Sequence, residues 1–270
     1  MFEQLRSKGF EIFFLSHAQA ILEVDFPIAA NELESSLLEF QIPVQEIIGS
    51  GGGESKGTQR LRRSLTASGW KKTNFEIKKT INGTDRGSTS HEVDHVRTFE
   101  NGVVALELEW NNKDPFFDRD LENFKRLHAE GAISVGAIVT RGQELQAKLL
   151  ELVTQYGREQ KISSFEDLAR LNIERTTRQR QAIESRIKSK RNPLTFVDAW
   201  ASAFISDKYG QATTHWRKLE DRVHRGVGHP CPLLLVGLPP SIVTFPAGLS
   251  IDDAAKDTAQ SEESLDAGLA

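Results

Sequence analysis

The chain has 270 residues, with 34 Lys and Arg against 38 Asp and Glu, a formal charge of −4 and 38% hydrophobic residues. That composition describes a globular chain with ample core and excludes a fibrous or wholly disordered one. Cys231 is the only cysteine, which leaves no intrachain disulfide and no cysteine-held zinc. No apolar run approaches the roughly 20 residues that cross a bilayer, and the "FEIFF" run near the start is too short and too charged for a signal peptide, so a cytoplasmic protein with no membrane partner is expected.

In chain order, residues 10–26 mix strand-like and helical spacing and do not separate. "AANELESSLLEF" predicts a helix with Leu33, Leu37 and Leu38 on one side. The glycine-rich stretch that follows lacks the Gly-Lys-Ser/Thr ending of a phosphate loop, because Lys56 precedes Gly57; it reads as a loop entering a short basic helix. Asn82–Gly83 marks a turn, with alternation after it. From Pro115 a helix with the stripe Phe117, Leu121, Phe124 and Leu127 runs to Gly131. "AISVGAIVT" then reads as a strand buried on both faces, and with the strand before the helix it makes a βαβ unit. Residues 142–225 are predicted mostly helical, with a capping box from Ser163 to Glu166. Residues 170–191 hold eight Lys or Arg against two Glu, which suits a solvated helix face or phosphate contact equally. "CPLLLVGLPPS" is a last buried strand. Residues 251–270 carry six acids and one lysine, the composition of a disordered tail, which leaves 1–250 as a single expected domain.

The informative stretch is "HEVDHVRTFENGVVALELEWNNK", residues 91–113. Asn101–Gly102 signals a two-residue hairpin turn, which would pair Val96 with Glu107 and Asp94 with Glu109. Alternate residues share a strand face, so the three acids fall on one side, opposite Val93, Val104, Leu106, Leu108 and Trp110. His95 and Arg97 break that apolar pattern. Three carboxylates so placed repel unless they hold protons or a cation. An exposed acidic strand would tolerate the repulsion, but the buried neighbouring strand argues for a covered sheet. A glycosidase also uses two carboxylates, yet it predicts aromatic sugar platforms and only Trp110 offers itself. Mg²⁺ takes carboxylate and water oxygens without histidine or cysteine, and beside asparagines and basic segments it points to phosphodiester hydrolysis.

Asp94, a hairpin, then Glu107-Leu108-Glu109 resembles the PD-(D/E)xK nuclease signature, in particular that of the type II restriction endonucleases of the BglII, BstYI and BamHI group, where glutamine or glutamate replaces the usual lysine. "ELEWNNKDPFFDRDLENF", "ISVGAIVTRG", "YGQATTHWRKL" and "CPLLLVGLPPS" are similar to BglII/BstYI-like members, over roughly residues 50–240. The resemblance implies an α/β fold of the PD-(D/E)xK restriction-endonuclease type, with a central mixed β-sheet flanked by helices. It implies catalytic Asp94, Glu107 and Glu109, with Asp94 and Glu107 holding Mg²⁺ and no organic cofactor. Lys113 is the alternative to Glu109 for the third role. It further implies a homodimer on palindromic double-stranded DNA with a GATC core, and a cognate DNA methyltransferase acting on the same site. Asn112, or Asn111 beside it, is expected at the bases, and Lys113 is expected to contact the DNA as well. Thr213, Thr214, His215 and Lys218 form a second patch expected to contact phosphate or base, His215 alternatively capping a helix. Asp114 and Asp118 read as helix-start residues. A repair or junction nuclease of the same fold would leave no discrete bands from a linear duplex, and a DNA-binding regulator built on 170–191 would never cut.

Overall fold

The computed structural model describes residues 1–49, 55–173, 175–248 and 251, so the glycine-rich loop at 50–54 and the acidic tail from 252 lie outside the described residues. The chain opens with α1 (Glu3–Ser7), β1 (Glu11–Leu15), α2 (Ala18–Val24), α3 (Pro27–Leu38), β2 (Ile42–Pro43) and α4 (Val44–Gly49). Next come α5 (Lys56–Ala67), β3 (Lys71–Ile81), β4 (Thr84–Phe99), β5 (Gly102–Glu109), α6 (Phe116–Ala129) and β6 (Val135–Arg141). It continues with α7 (Gln143–Glu159), α8 (Phe165–Arg170), α9 (Thr177–Ile187), α10 (Phe196–Lys208), α11 (Trp216–His224), β7 (Leu233–Leu238) and β8 (Val243–Thr244). Two compact units result, one from residues 1–40, 60–143 and 214–239, the other from the described residues of 41–59, 144–213 and 240–251.

The first unit is built on a six-stranded mixed sheet in the order β1-β7-β6-β5-β4-β3. β5, β6 and β7 run parallel, and β1, β4 and β3 lie antiparallel to their neighbours. Parallel neighbours joined in sequence need a crossover, and α6 supplies the one between β5 and β6. Every residue of β6 and β7 is buried, as the apolar runs Val135–Val139 and Leu233–Leu238 require, and the polar Thr140 and Arg141 that end β6 are buried with them. Phe117, Leu121, Phe124 and Leu127 of α6, with Trp216, Leu219 and Val223 of α11, close over Val93, Val96, Ala105 and Ile138. Gly136 of β6 lets α6 approach: a Cβ there would meet the Phe124 ring at 2.5 Å. α2 also packs on β6 and β7. The architecture is the α/β one expected, a mixed sheet with helices on it.

The β4–β5 hairpin departs from the register its turn signal predicts. The turn is Glu100–Asn101, and Gly102 pairs with Phe99, Thr98 with Val103 and Val96 with Ala105. Gly102 serves close approach instead, since a Cβ there would run into the Ser134 side chain, whose Oγ accepts a hydrogen bond from Val103 N at 3.3 Å. A slide by two residues leaves every side chain of β5 on its predicted face. β4 carries a bulge as well: Lys71 pairs with Val96 and Thr73 with Val93, so Asp94 and His95 together oppose Lys72. The extra residue lets Val93 and Val96, three apart, both join the core beneath α6, where strict alternation puts Val93 on the other face. Arg97, which broke the apolar pattern, forks onto Glu32 with bonds of 3.0 and 2.9 Å. The β3–β4 turn sits at Asn82–Gly83 as expected, both residues at positive φ.

The second unit is mainly helical, with one short parallel pair, β2 and β8. Its α8 cap falls one residue later than predicted: Ser164 accepts from Asp167 N at 3.2 Å, while Ser163 donates to the Asp167 carboxylate. α9 buries Ile183, and Arg178, Arg180, Lys190 and Arg191 in or beside it are exposed. No helix among the described residues is long and apolar enough to cross a membrane.

Candidate active site

β5 alternates, so Glu107 and Glu109 follow Ala105 onto the face that α6 covers. Glu107 is 4% exposed and Glu109 2%. α6 adds a third acid there: Asp120 is 1% exposed, one turn on from Phe117 in the helix's buried stripe. Asp94 stands exposed at the β4 bulge, close enough that its charge acts on both Glu107 and Asp120.

Neighbouring groups hold the acids in place. Asn112 Nδ2 donates to Glu109 Oε2 at 2.7 Å, and the Thr140 hydroxyl on β6 donates to the Glu109 carbonyl at 2.7 Å. Arg119 Nε and Nη2 both reach Asp120 Oδ1, at 2.8 and 2.7 Å, and Nη2 lies 3.6 Å from Glu109 Oε1. The Arg119 guanidinium rests 4.3 Å from the Phe116 ring centre and its side chain is about half exposed. Asp120 Oδ2 is buried without a hydrogen-bond partner.

Burial, followed by the charges of Asp120, Asp94 and Glu109, pushes the Glu107 carboxyl well above the usual carboxylate range. Burial and the charge of Asp120 push Glu109 up to about 8, with Asn112 and Arg119 pulling the other way. Burial raises Asp120 too, and hydrogen bonds from Glu109 and Arg119 oppose it. One half-exposed guanidinium thus faces three buried acids, and burial favours their protonated forms until a cation binds.

A family model for the restriction endonucleases BglII/BglIII matches residues 10–238. The chain belongs to that family. Membership makes it a type II restriction endonuclease, a nuclease that binds double-stranded DNA. No curated protein matches the chain.

In this restriction endonuclease the acids suit a hard cation. Every donor is a carboxylate oxygen, and the buried Asp120 Oδ2 still lacks a partner. As the side chains stand, no group of three or more His, Cys, Asp or Glu among the described residues is arranged to hold an ion. Mg²⁺ keeps several of its waters and needs only one or two protein carboxylates, so the donor set fits it.

The other expected site residues divide. The backbones of Asn112 and Thr214 are joined: Thr214 N donates to Asn112 O at 2.9 Å, and Asn112 N donates to the Thr214 hydroxyl at 3.1 Å. Thr214 is fully buried, and its carbonyl accepts from the buried Arg141 at 2.6 Å, so its side chain braces the loop after β5. Thr213 donates to the Gly210 carbonyl. His215 is buried at the start of α11 and makes no side-chain cap. Burial, then the charges of Arg141 and Lys218, press its pKa down to about 4, so it is neutral at physiological pH. Asp118 lies in the first turn of α6 and Asp114 just before its cap, the helix-start positions that the sequence predicts, and both also reach α11: Lys218 pairs with Asp114 at 3.5 Å and Arg222 with Asp118 at 2.8 Å. Lys113 is exposed and forms no ion pair among the described residues. Sequence reasoning missed Arg119 and Asp120. The available signal was Asp120 itself, a charge three residues after Phe117 and one before Leu121, inside an apolar stripe.

Proposed function

We propose that the protein is a Mg²⁺-dependent PD-(D/E)xK enzyme, a type II site-specific deoxyribonuclease that works as a cytoplasmic homodimer on a short palindrome with a GATC core, beside a cognate methyltransferase of the same specificity. The observation that carries the catalytic reading is the convergence of buried Glu107, Glu109 and Asp120 with Asp94 at the bulge, inside a family of nucleases. Asp94 and Glu107 would hold the ion, which when bound supplies positive charge at the phosphate and lowers the pKa of a water. Glu109, held by the Asn112 amide, would help position the ion or the attacking water. The water oxygen bonds to phosphorus, one P–O ester bond breaks, and a phosphomonoester and a hydroxyl remain.

Asn111 and Asn112 follow β5 directly, and an asparagine can pair bidentately with adenine in the major groove. Asn112 would reach a base only by releasing Glu109; the Asn111 Oδ1 has no hydrogen-bond partner but is buried, so Asn111 would have to turn its amide outward.

Digestion of a phage genome in Mg²⁺ tests the reading, with Asp94→Ala and Glu107→Ala as controls. Discrete fragments ending at GATC-containing sites are expected, and both variants should bind duplex DNA without cutting it. A smear would point to a repair-type nuclease, intact DNA would refute catalysis, and ends lacking GATC would remove the specificity alone.

A further inference from the structure

We propose that Arg119 is the side-chain cation of this active site: its guanidinium contacts the scissile phosphate, and Asp120 is the positioning residue that aims it. The inference rests on the nuclease reading above. At the third position of the signature, where a lysine is usual, this chain has Glu109, so β5 adds no side-chain cation to the charge that a bound ion would supply. Of the candidates, Lys113 stands exposed with no ion pair among the described residues, and Lys218 is engaged by Asp114 at 3.5 Å. Arg119 already sits on the acids, 2.7 Å from Asp120 and 3.6 Å from Glu109.

Its attachment is one-sided. Nε and Nη2 are both spent on Asp120 Oδ1, the Phe116 ring lies 4.3 Å from the guanidinium carbon, and Nη1 has no hydrogen-bond partner among the described residues. Since the side chain is 54% exposed, a face of N–H donors is held still and open toward solvent beside the acids. Guanidinium presents paired donors that match phosphate oxygens, and it keeps its charge at any physiological pH. It therefore supplies charge and geometry and moves no proton. In the hydrolysis, negative charge builds on the non-bridging oxygens as the water oxygen bonds to phosphorus, and a fixed donor pair is most effective there. A guanidinium already oriented by a buried carboxylate reorganises little when that charge develops. The bland alternative is that Arg119 only neutralises two buried acids.

The two readings separate in single-turnover cleavage of a phage-genome fragment carrying one mapped cut site. The proteins are full-length wild type, R119A, R119K and R119A/D120N, each checked by circular dichroism and for duplex affinity without divalent ions. The proposal expects R119A to slow cleavage about 10²–10³-fold with affinity little changed. R119K should remain at least about tenfold slow, because an ammonium is a point charge without the fork. The double variant should be no faster than R119A. If Arg119 merely balances charge, lysine replaces it and D120N makes it unnecessary; wild-type rates in R119K, or recovery in the double variant, would overturn the proposal. So would an R119A enzyme that cuts normally, and if R119A fails to fold the lysine variant decides. Wild type that leaves the DNA intact in Mg²⁺ refutes the nuclease reading instead, a distinguishable result.

Discussion

Glu107 is the acid most crowded by like charge, buried with Asp120, Asp94 and Glu109 acting on it. Groups kept for catalysis under such conditions cost the fold stability. Glu107→Gln keeps the shape and removes one acid, so the variant should lose cleavage yet melt higher than wild type in buffer without divalent ions. A gain of about 1 kcal/mol would appear as a rise of roughly 2–4 °C for a chain of this size; an unchanged or lower melting temperature would show that the crowding is relieved some other way. His215 allows a second test at this scale. Its folded pKa, about 4, lies below its unfolded value of roughly 6.5. A depressed value means that its contribution is fully present above the unfolded pKa and is lost as pH falls from about 6.5 toward 4. His215→Asn should therefore flatten the decline of melting temperature across that window, and an identical decline in both proteins would rule His215 out as its source. The acids of β5 were legible because two-residue periodicity is a property of the strand alone. Arg119 was not, because what marks it is a neighbour in space, Glu109, that sequence spacing does not bring near.

α6 carries Arg119 and Asp120 on its solvent edge and inner face, and its position depends on how closely it lies on β6. Gly136 sets that distance: a Cβ there would meet the Phe124 ring at 2.5 Å and Leu233 at 3.1 Å. Gly136→Ala should cost about 1–3 kcal/mol through overpacking and also slow cleavage, since any outward shift of α6 moves Asp120 off Glu109. Stability and single-turnover rate are expected to fall together; loss of stability with cleavage unchanged would uncouple the helix position from the site. The helix itself was plain in the sequence, its stripe of Phe117, Leu121, Phe124 and Leu127 fully buried as the spacing requires. The β4–β5 register was not, because Asn-Gly suits a tight turn and a close backbone approach alike, and only Ser134, 32 residues beyond Gly102 in sequence, decides between them. The β4 bulge escaped for a related reason: it exists only in the pairing with β3.

At the scale of the whole molecule, two-fold symmetry and charge decide how DNA is met. A palindrome cut on both strands calls for two copies of one site related by two-fold symmetry, so the proposed dimer and the proposed target stand together, and ends that map asymmetrically would remove both. Charge is less favourable than that picture suggests. The chain totals −4, and residues 251–270 hold six acids and one lysine, so 1–250 carries −4 − (−5) = +1. A body so near neutrality would attract DNA only through local clusters, for which Arg119 and the exposed Arg178, Arg180, Lys190 and Arg191 are the candidates, while the acidic stretch would oppose the approach. Where to remove it is set by the second unit: Ile251 is 7% exposed and meets the chain at Gly49, and Gln45 donates to the Pro246 carbonyl. A chain ending at Ile251 should fold, cut at the same sites and associate with duplex DNA faster at low salt, the gain fading as salt screens it. A chain ending at Ser241 loses β8 and both contacts, and should melt lower. On-rates measured across a salt series check the electrostatic part; if the chain ending at Ile251 no longer folds or cuts, the acidic stretch has a role its composition does not explain.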